Sequence, residues 1–347
     1  MSRLSGSSVL TGSTGMPVPA ARGELSELLV GAVRDLRIDG CAVVAAARRL
    51  AEGEEPIHSG EDAQIALLML YELHYRGLAG APEDWEWDTD LLICRRLLER
   101  RFESELRELA TVDDPGGDVA EVLFDMTAPT RGPSLSRYVA ARATKEQLLE
   151  FLIHRSVYQL KEADPHSWAI PRLAGTVKAA LVEVQIDEYG GGRADRMHSA
   201  LFAQTMRELG LDDSYGAMVD QVPAVTLATV NAMSMFGLNR RLLGAIVGHL
   251  AAFEMTSSLP NRMYGNGLRR LGYGPEATRF FDEHVEADAV HEQIAGRDLA
   301  GGLVAQQPER RADVLFGAAA CLALDEFAGR HLLSAWENQL SSLREIR

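Results

Sequence analysis

The chain has 347 residues, of which 46% are hydrophobic and 24% charged, the balance of a globular protein with a full core in one large or two ordinary domains. Its formal net charge of -15 excludes nucleic acid and an anionic membrane as main partners, because both require basic patches. Three widely separated cysteines, Cys41, Cys94 and Cys321, form no C-x-x-C pair, which argues against a disulfide framework and a thiolate zinc site and predicts reduced, mostly packed thiols in a cytoplasmic protein.

Residues 1–22 are rich in Ser, Gly, Thr and Pro and lack a continuous apolar core, so they predict a disordered tail and not a secretory signal. Leu25, Leu28, Leu29, Val33 and Leu36 recur at helical spacing, and a second apolar burst runs from Cys41 to Leu50 after Gly40. Ser59-Gly-Glu-Asp opens a further helix with a capping Ser and early acids. Two tryptophans, Trp85 and Trp87, mark a turn before a charged amphipathic helix over about 91–110. A breaker at 111–118 and a short helix near 118–126 lead to the Pro/Gly/Ser/Thr-rich stretch 127–136, the expected domain boundary.

Beyond it, helical patterns follow at about 137–141, 144–162, 172–189, 194–209, 214–220, 223–236, 239–257, 260–271, 275–296 and 309–338, punctuated by Gly and Pro. Continuous β-type alternation is absent, and no apolar run approaches the roughly 18–20 residues that span a bilayer. The fold class is all-α. The expected organisation is a tail at 1–22, a helical accessory region at 23–135 and a helical core domain at 136–347.

Chemistry is suggested at four places. Glu162 ends the helix over 144–162, where the helix dipole disfavours an acid. Either a cation offsets it or the end is frayed and solvated. Glu183, Asp187 and Glu188 sit in an apolar segment before Gly190-Gly191-Gly192 and His198. Buried acids need a partner or a metal, while an ordinary helix stop with an exposed acidic end fits the same letters. Glu254 is a single acid among Leu250, Ala251 and Phe253, either functional or paired with Arg240, Arg241 or Arg262. His284, Asp288 and His291 fall within about 60° on one helical face, a pattern suited to iron, manganese or zinc and also found on plain surface helices. His58, His74, His154, His166, His249 and His331 read as background. Phosphate loops, nucleophile elbows, H-E-x-x-H and paired E-x-x-H motifs are absent from the sequence.

Taken together, these residues resemble the haem-oxygenase-like diiron oxidases, a family of iron-containing redox enzymes. The resemblance rests on Asp164-Pro-His-Ser-Trp-Ala-Ile-Pro-Arg-Leu173, on Glu183-Val-Gln-Ile-Asp-Glu-Tyr-Gly-Gly-Gly192 leading to His198, and on His284-x3-Asp288-x2-His291, across about 140–338. It implies a haem-oxygenase-like helical bundle with seven iron ligands: Glu162, Glu188, His198, Glu254, His284, Asp288 and His291. Glu188 matches the extra carboxylate of the N-oxygenase branch.

The cofactors so implied are two iron ions cycling between Fe(II) and Fe(III), with O2 as co-substrate. The implied activity is N-oxygenation of an amine- or guanidine-type small molecule in specialised metabolism. The alternatives are oxidative C–C cleavage or decarboxylation of an amino acid or fatty acid, and a non-catalytic helical binding protein. An external electron donor and a homodimer built on the 23–135 region are compatible with this reading. Arg240, Arg241, Arg262, Tyr264 and Tyr189 are candidates for a substrate pocket. The helix carrying His284 and His291 has few large aliphatic residues after Phe281, and Gly296, Gly301 and Gly302 follow it; its order is expected to depend on metal.

Overall fold

A computed structural model describes residues 15–129 and 132–345, with the side chains of 286–289 outside the described set. It is all-α, as the periodicity predicts. The helices are α1 (Glu24–Asp35), α2 (Gly40–Glu52), α3 (Glu61–Glu72), α4 (Thr89–Leu109), α5 (Val119–Met126), α6 (Leu135–Ala141), α7 (Lys145–Gln159) and α8 (Asp164–Ser167). They continue as α9 (Gly175–Glu188), α10 (His198–Glu208), α11 (Ala224–Leu238), α12 (Leu243–Met255), α13 (Ser258–Arg270) and α14 (Pro275–Gln293). A π-helical turn over Ile294–Gly301 joins α14 to α15 (Gly302–Gln306), and α16 (Arg311–Glu337) closes the chain. Among the described residues no single helix is long and apolar enough to cross a membrane.

Local chemistry sets several of these boundaries. Thr144 accepts from the Gln147 backbone N–H, and the Gln147 side chain accepts in return from Thr144 N–H, a capping box that starts α7. Pro275 occupies the first turn of α14, where its missing N–H costs nothing. The helix expected over 144–162 stops at Gln159, and Ala163 turns the chain with φ 74 and ψ -28. The helix expected over 214–220 is only a 3-10 turn at Val219–Gln221.

The core is centred on α11, α12 and α16. Phe236 packs edge-on against Phe316, and Ala251, Ala252, Ala318 and Ala320 are fully buried. The axes of α12 and α16 come close because glycines sit at the crossing. A Cβ on Gly248 would lie 1.8 Å from the Val314 carbonyl oxygen, and one on Gly317 would lie 2.0 Å from that of Ala245. Backbone faces backbone there, so neither side can yield.

The expectation of a disordered tail through residue 22 fails for 15–22; residues 1–14 lie outside the described residues. Met16 is buried and exchanges backbone hydrogen bonds with Gly77 and Ala79. Arg22 donates to the carbonyls of Val219 and Val222 at 2.7 and 2.9 Å and pairs with Glu61. Polar and charged anchors of this kind outweigh the entropy that composition alone suggests. The region expected as accessory also packs on α11 through α3, with the Asn231 amide donating to Gln64 at 2.8 Å.

Candidate metal centre

Four helices and one turn deliver the acids and imidazoles. Glu162 sits in the turn that ends α7, one residue before the left-handed Ala163. Glu188 is the last residue of α9 and His198 the first of α10. Between them Gly190, Gly191 and Gly192 all take positive φ, at 63, 63 and 79, a conformation open to glycine without strain. A Cβ at Gly190 would lie 2.4 Å from the backbone carbon of Arg196, so this residue also permits the tight return. That return places His198 Nδ1 at 3.0 Å from Glu188 Oε2. Glu254 comes from the last turn of α12, and His284 and His291 from α14.

The side chains form two buried groups that share one residue. Glu162, Glu188, His198 and His284 place one donor atom each within 4.8 Å of one another, and so do Glu188, Glu254 and His291. His284 Nε2 is 3.5 Å from Glu162, and His291 Nδ1 is 3.5 Å from Glu254. The seven-residue separation of His284 and His291 is about 10 Å along a helix, so the stripe read from the sequence serves two neighbouring positions and not one. The Asp288 side chain lies outside the described residues.

Second partners settle the tautomers. His284 Nδ1 is 2.8 Å from the Phe280 carbonyl, four residues earlier on α14. It must donate to that oxygen, which turns Nε2 toward Glu162. His291 Nε2 is 3.0 Å from Asp187 Oδ2, which turns Nδ1 toward Glu254. Ligating histidines are typically held in this way.

Electrostatics make the cluster expensive without a cation. Burial pushes the Glu162 carboxyl up, only partly offset by His284. Burial also raises Glu188, but the imidazoles of His198, His284 and His291 reverse this and hold it down at about 2. His198 and His291 are driven down by burial and, more strongly, up by the facing carboxylates. Glu162 Oε2 is buried with no hydrogen-bond partner, and the close His198–Glu188 pair lacks hydrogen-bond alignment. Imidazole and carboxylate donors arranged in this way fit a metal such as iron.

Several expectations change. Glu183 and Asp187 are exposed; only Glu188 of that acidic trio is buried. Glu254 is not neutralised by Arg241, whose guanidinium pairs with Glu103. Lys161 pairs with Glu72 and not with the adjacent Glu162. A small cavity of about 10 Å3, room for about one water, lies beside Glu162, Glu188, Glu254 and His284. None of Tyr189, Arg240, Arg241, Arg262 and Tyr264 lines it; Tyr189, for example, donates to Asp164 at 2.8 Å. His166 does line it, and its Nε2 meets His249 Nδ1 at 3.2 Å. Burial holds His166 down at about 4 and His249 well below its ordinary value. Sequence spacing offered no signal for that pair. Asp187 and Gln185 were signalled only by their place on the turn that carries Glu188.

The family model of iron-containing redox enzymes matches residues 149–326, just over half of the chain. The chain belongs to the iron-containing redox enzyme family. The match covers the elements from α7 into α16 and so includes all six described acids and imidazoles of the cluster. The all-α architecture agrees with the haem-oxygenase-like fold. The chain is also 29% identical over 147 residues to a nitrosourea synthase from Streptomyces achromogenes subsp. streptozoticus. That alignment spans 42% of this chain and 31% of the relative, so the chain matches less than a third of the relative's length. Membership of this family makes the chain an oxidoreductase, with a buried His/Glu cluster compatible with iron.

Proposed function

We propose that the chain is a non-haem diiron oxygenase that inserts oxygen into an N–H bond of an amine- or guanidine-type small molecule. The observation that carries the diiron reading is the sharing of Glu188 between two buried donor groups. One carboxylate can bridge two metals, and helical bundles build such centres from inward-facing acids and imidazoles. Asp288, four residues after His284 and three before His291, is the further ligand in this proposal, beside Glu162, Glu188, His198, Glu254, His284 and His291.

Bound iron would supply the redox chemistry: O2 takes two electrons from an external donor and two protons, one oxygen atom converts N–H to N–OH, and the other leaves as water. The residues of the chain provide the setting. The Phe280 carbonyl and Asp187 hold the two α14 imidazoles in their ligating tautomers. Leu250 and Phe253 form apolar wall beside the acids, which limits water at the reacting centre.

Nitrogen is favoured over carbon chemistry by the cavity wall. Amino-acid and fatty-acid cleavage both act on carboxylates, and a buried carboxylate calls for a cationic partner. None of the described residues lining the cavity is Lys or Arg. The name of the nitrosourea synthase relative points the same way.

The test is oxygen consumption by Fe(II)-loaded protein against amines, guanidines, amino acids and fatty acids, with product mass as the readout. N-oxygenation appears as a gain of oxygen on nitrogen. Loss of carbon from the substrate supports the cleavage reading instead. A protein that binds no iron, and in which Glu254→Ala changes nothing, is a non-catalytic helical protein.

A further inference from the structure

The small cavity beside the acids is also bordered by Tyr158, which comes from the last turn of α7 and is 6% exposed. Its ring packs edge-on against Phe253, another wall residue, with the centroids 5.4 Å apart. Its hydroxyl oxygen lies 3.5 Å from the Ala163 N–H, which belongs to the peptide that joins Ala163 to Glu162. Burial pushes the phenol well above its ordinary value, and the charges of Glu162, Glu188 and Glu254 push it the same way. Those three carboxylates all line the cavity. The hydroxyl end of Tyr158, and not only its ring, therefore borders the same space.

Two groups on this wall are left half-satisfied. The Tyr158 oxygen accepts from Ala163, but none of the described residues accepts its O–H. Glu162 Oε2 is buried with no hydrogen-bond partner. One is a donor and the other an acceptor, and burying either of them unpaired is costly. They do not meet directly. The space beside them, about 10 Å3, takes one water-sized molecule. A molecule that both accepts and donates there satisfies the phenol and the carboxylate together. The other donors on the wall are placed differently. His166 Nε2 is taken up with His249 Nδ1 at 3.2 Å. Ser257 is only half-buried, and its oxygen already accepts from the Asn261 amide at 2.8 Å, so bulk water can complete it.

We propose that the Tyr158 O–H is the hydrogen-bond donor to a one-oxygen ligand, water or hydroxide, held in this cavity. The assignment adds to the proposed iron ligands a residue that binds the small ligand and not the metal. It does not depend on which substrate is oxidised. The neighbouring acids offer only lone pairs, whereas the neutral phenol offers a proton. A cation bound among the acids offsets their charge, and an anionic ligand then becomes acceptable beside them. The phenol is the group that hydrogen-bonds it. A space of one water admits hydroxide or fluoride and is too small for chloride.

The test titrates fluoride, a water-sized acceptor, and chloride, a larger and poorer one, into the iron-loaded protein in its Fe(III) form, followed by visible absorption. Fluoride is expected to bind the wild type more tightly than chloride. Tyr158→Phe, which removes only the hydroxyl, is expected to weaken fluoride by about tenfold or more, the order of one hydrogen bond to a charged acceptor, with iron content unchanged. A high-resolution crystal structure of the metal-free wild type is expected to show one ordered water within hydrogen-bond distance of the Tyr158 hydroxyl. Equal fluoride affinity in wild type and Tyr158→Phe overturns the proposal. So does a wild type that binds no fluoride, or one that binds chloride as tightly. Loss of iron in Tyr158→Phe overturns it by making Tyr158 a support for the Glu162 turn, and a crystal structure with no water in reach of the hydroxyl overturns it without any variant. Failure of the diiron reading is distinguishable, because it shows as a wild-type protein without iron; the crystal structure then decides the proposal by itself.

Discussion

Asp187 Oδ2 lies 3.0 Å from His291 Nε2 across 104 residues of sequence, and Asp187 is 59% exposed while His291 is almost fully buried. An exposed carboxylate on α9 thereby sets the tautomer of an imidazole on α14. Removing such a partner typically costs 10–100-fold in metal affinity. Asp187→Ala should weaken metal binding at the Glu188–Glu254–His291 position by about tenfold or more, and Asp187→Asn should recover part of the loss. Co(II) titration followed by visible absorption measures this. Unchanged affinity in Asp187→Ala would refute it.

Glu188 and Glu254 should differ in kind. Glu188 belongs to both donor groups and Glu254 to one. Glu188→Ala is expected to lose the whole metal complement, whereas Glu254→Ala keeps tighter binding at the position formed by Glu162, His198 and His284. Metal analysis after dialysis distinguishes the two variants. Equal retention in both would remove Glu188 from its shared place.

The buried ion pair of Lys161 and Glu72 ties α3 to the turn that carries Glu162. Both side chains are 1% exposed, and Glu72 also accepts from the Tyr215 hydroxyl at 2.6 Å. Breaking a buried pair from one side leaves an uncompensated charge and costs about 3–5 kcal/mol. Glu72→Leu should therefore lower the denaturation midpoint sharply. Lys161→Met combined with Glu72→Gln, which keeps an acceptor for Tyr215, should recover most of the loss. Chemical denaturation of the two variants beside the wild type is the measurement.

His154 makes stability depend on pH. It is buried between the Thr226 and Ser342 hydroxyls at 2.6 and 3.1 Å. Burial, then the neighbouring His331, holds it down at about 3. The unfolded chain takes up this proton near pH 6.5, so the folded state loses ground as pH falls from there toward 3. Full effect is about 1.4 kcal/mol per pH unit for one proton. Unfolding midpoints measured from pH 7 to 4.5 should fall less steeply in His154→Gln, which hydrogen-bonds but does not titrate. Parallel slopes for variant and wild type would count against it.

Metal should order the ligand helix. Glu162, Glu188 and Glu254 converge on α14, and their charges oppose one another until a cation is bound. Hydrogen exchange over residues 280–300 is expected to slow by about tenfold or more on iron loading, the order of 1.4 kcal/mol of local stabilisation. Equal rates with and without iron would contradict this.

The outcome at each helix shows what periodicity carries. Apolar spacing located α4, α11, α12 and α16 within a few residues, because burial of one face or of the whole helix repeats with the helical turn. The stripe of His284, Asp288 and His291 was legible because side-chain type and spacing along α14 are local properties; the wider set of acids and imidazoles came from the family resemblance. Spacing could not say that His284 and His291 face different partners, since that depends on where α7, α9, α10 and α12 cross α14. It also could not pair Gln185 with Ala163 or Asp187 with His291, which lie 22 and 104 residues apart.

By itself the sequence determined the helical class, the inventory of acids and imidazoles and the glycine run that lets the chain return after α9. Each of these is a matter of residue type and local backbone freedom. Only the tertiary structure decided that Glu188 belongs to both donor groups, that Asp187 holds His291, that 15–22 are packed and that no Lys or Arg among the described residues lines the cavity. Those depend on which distant side chains burial brings together, and burial is set by the packing of whole helices against one another.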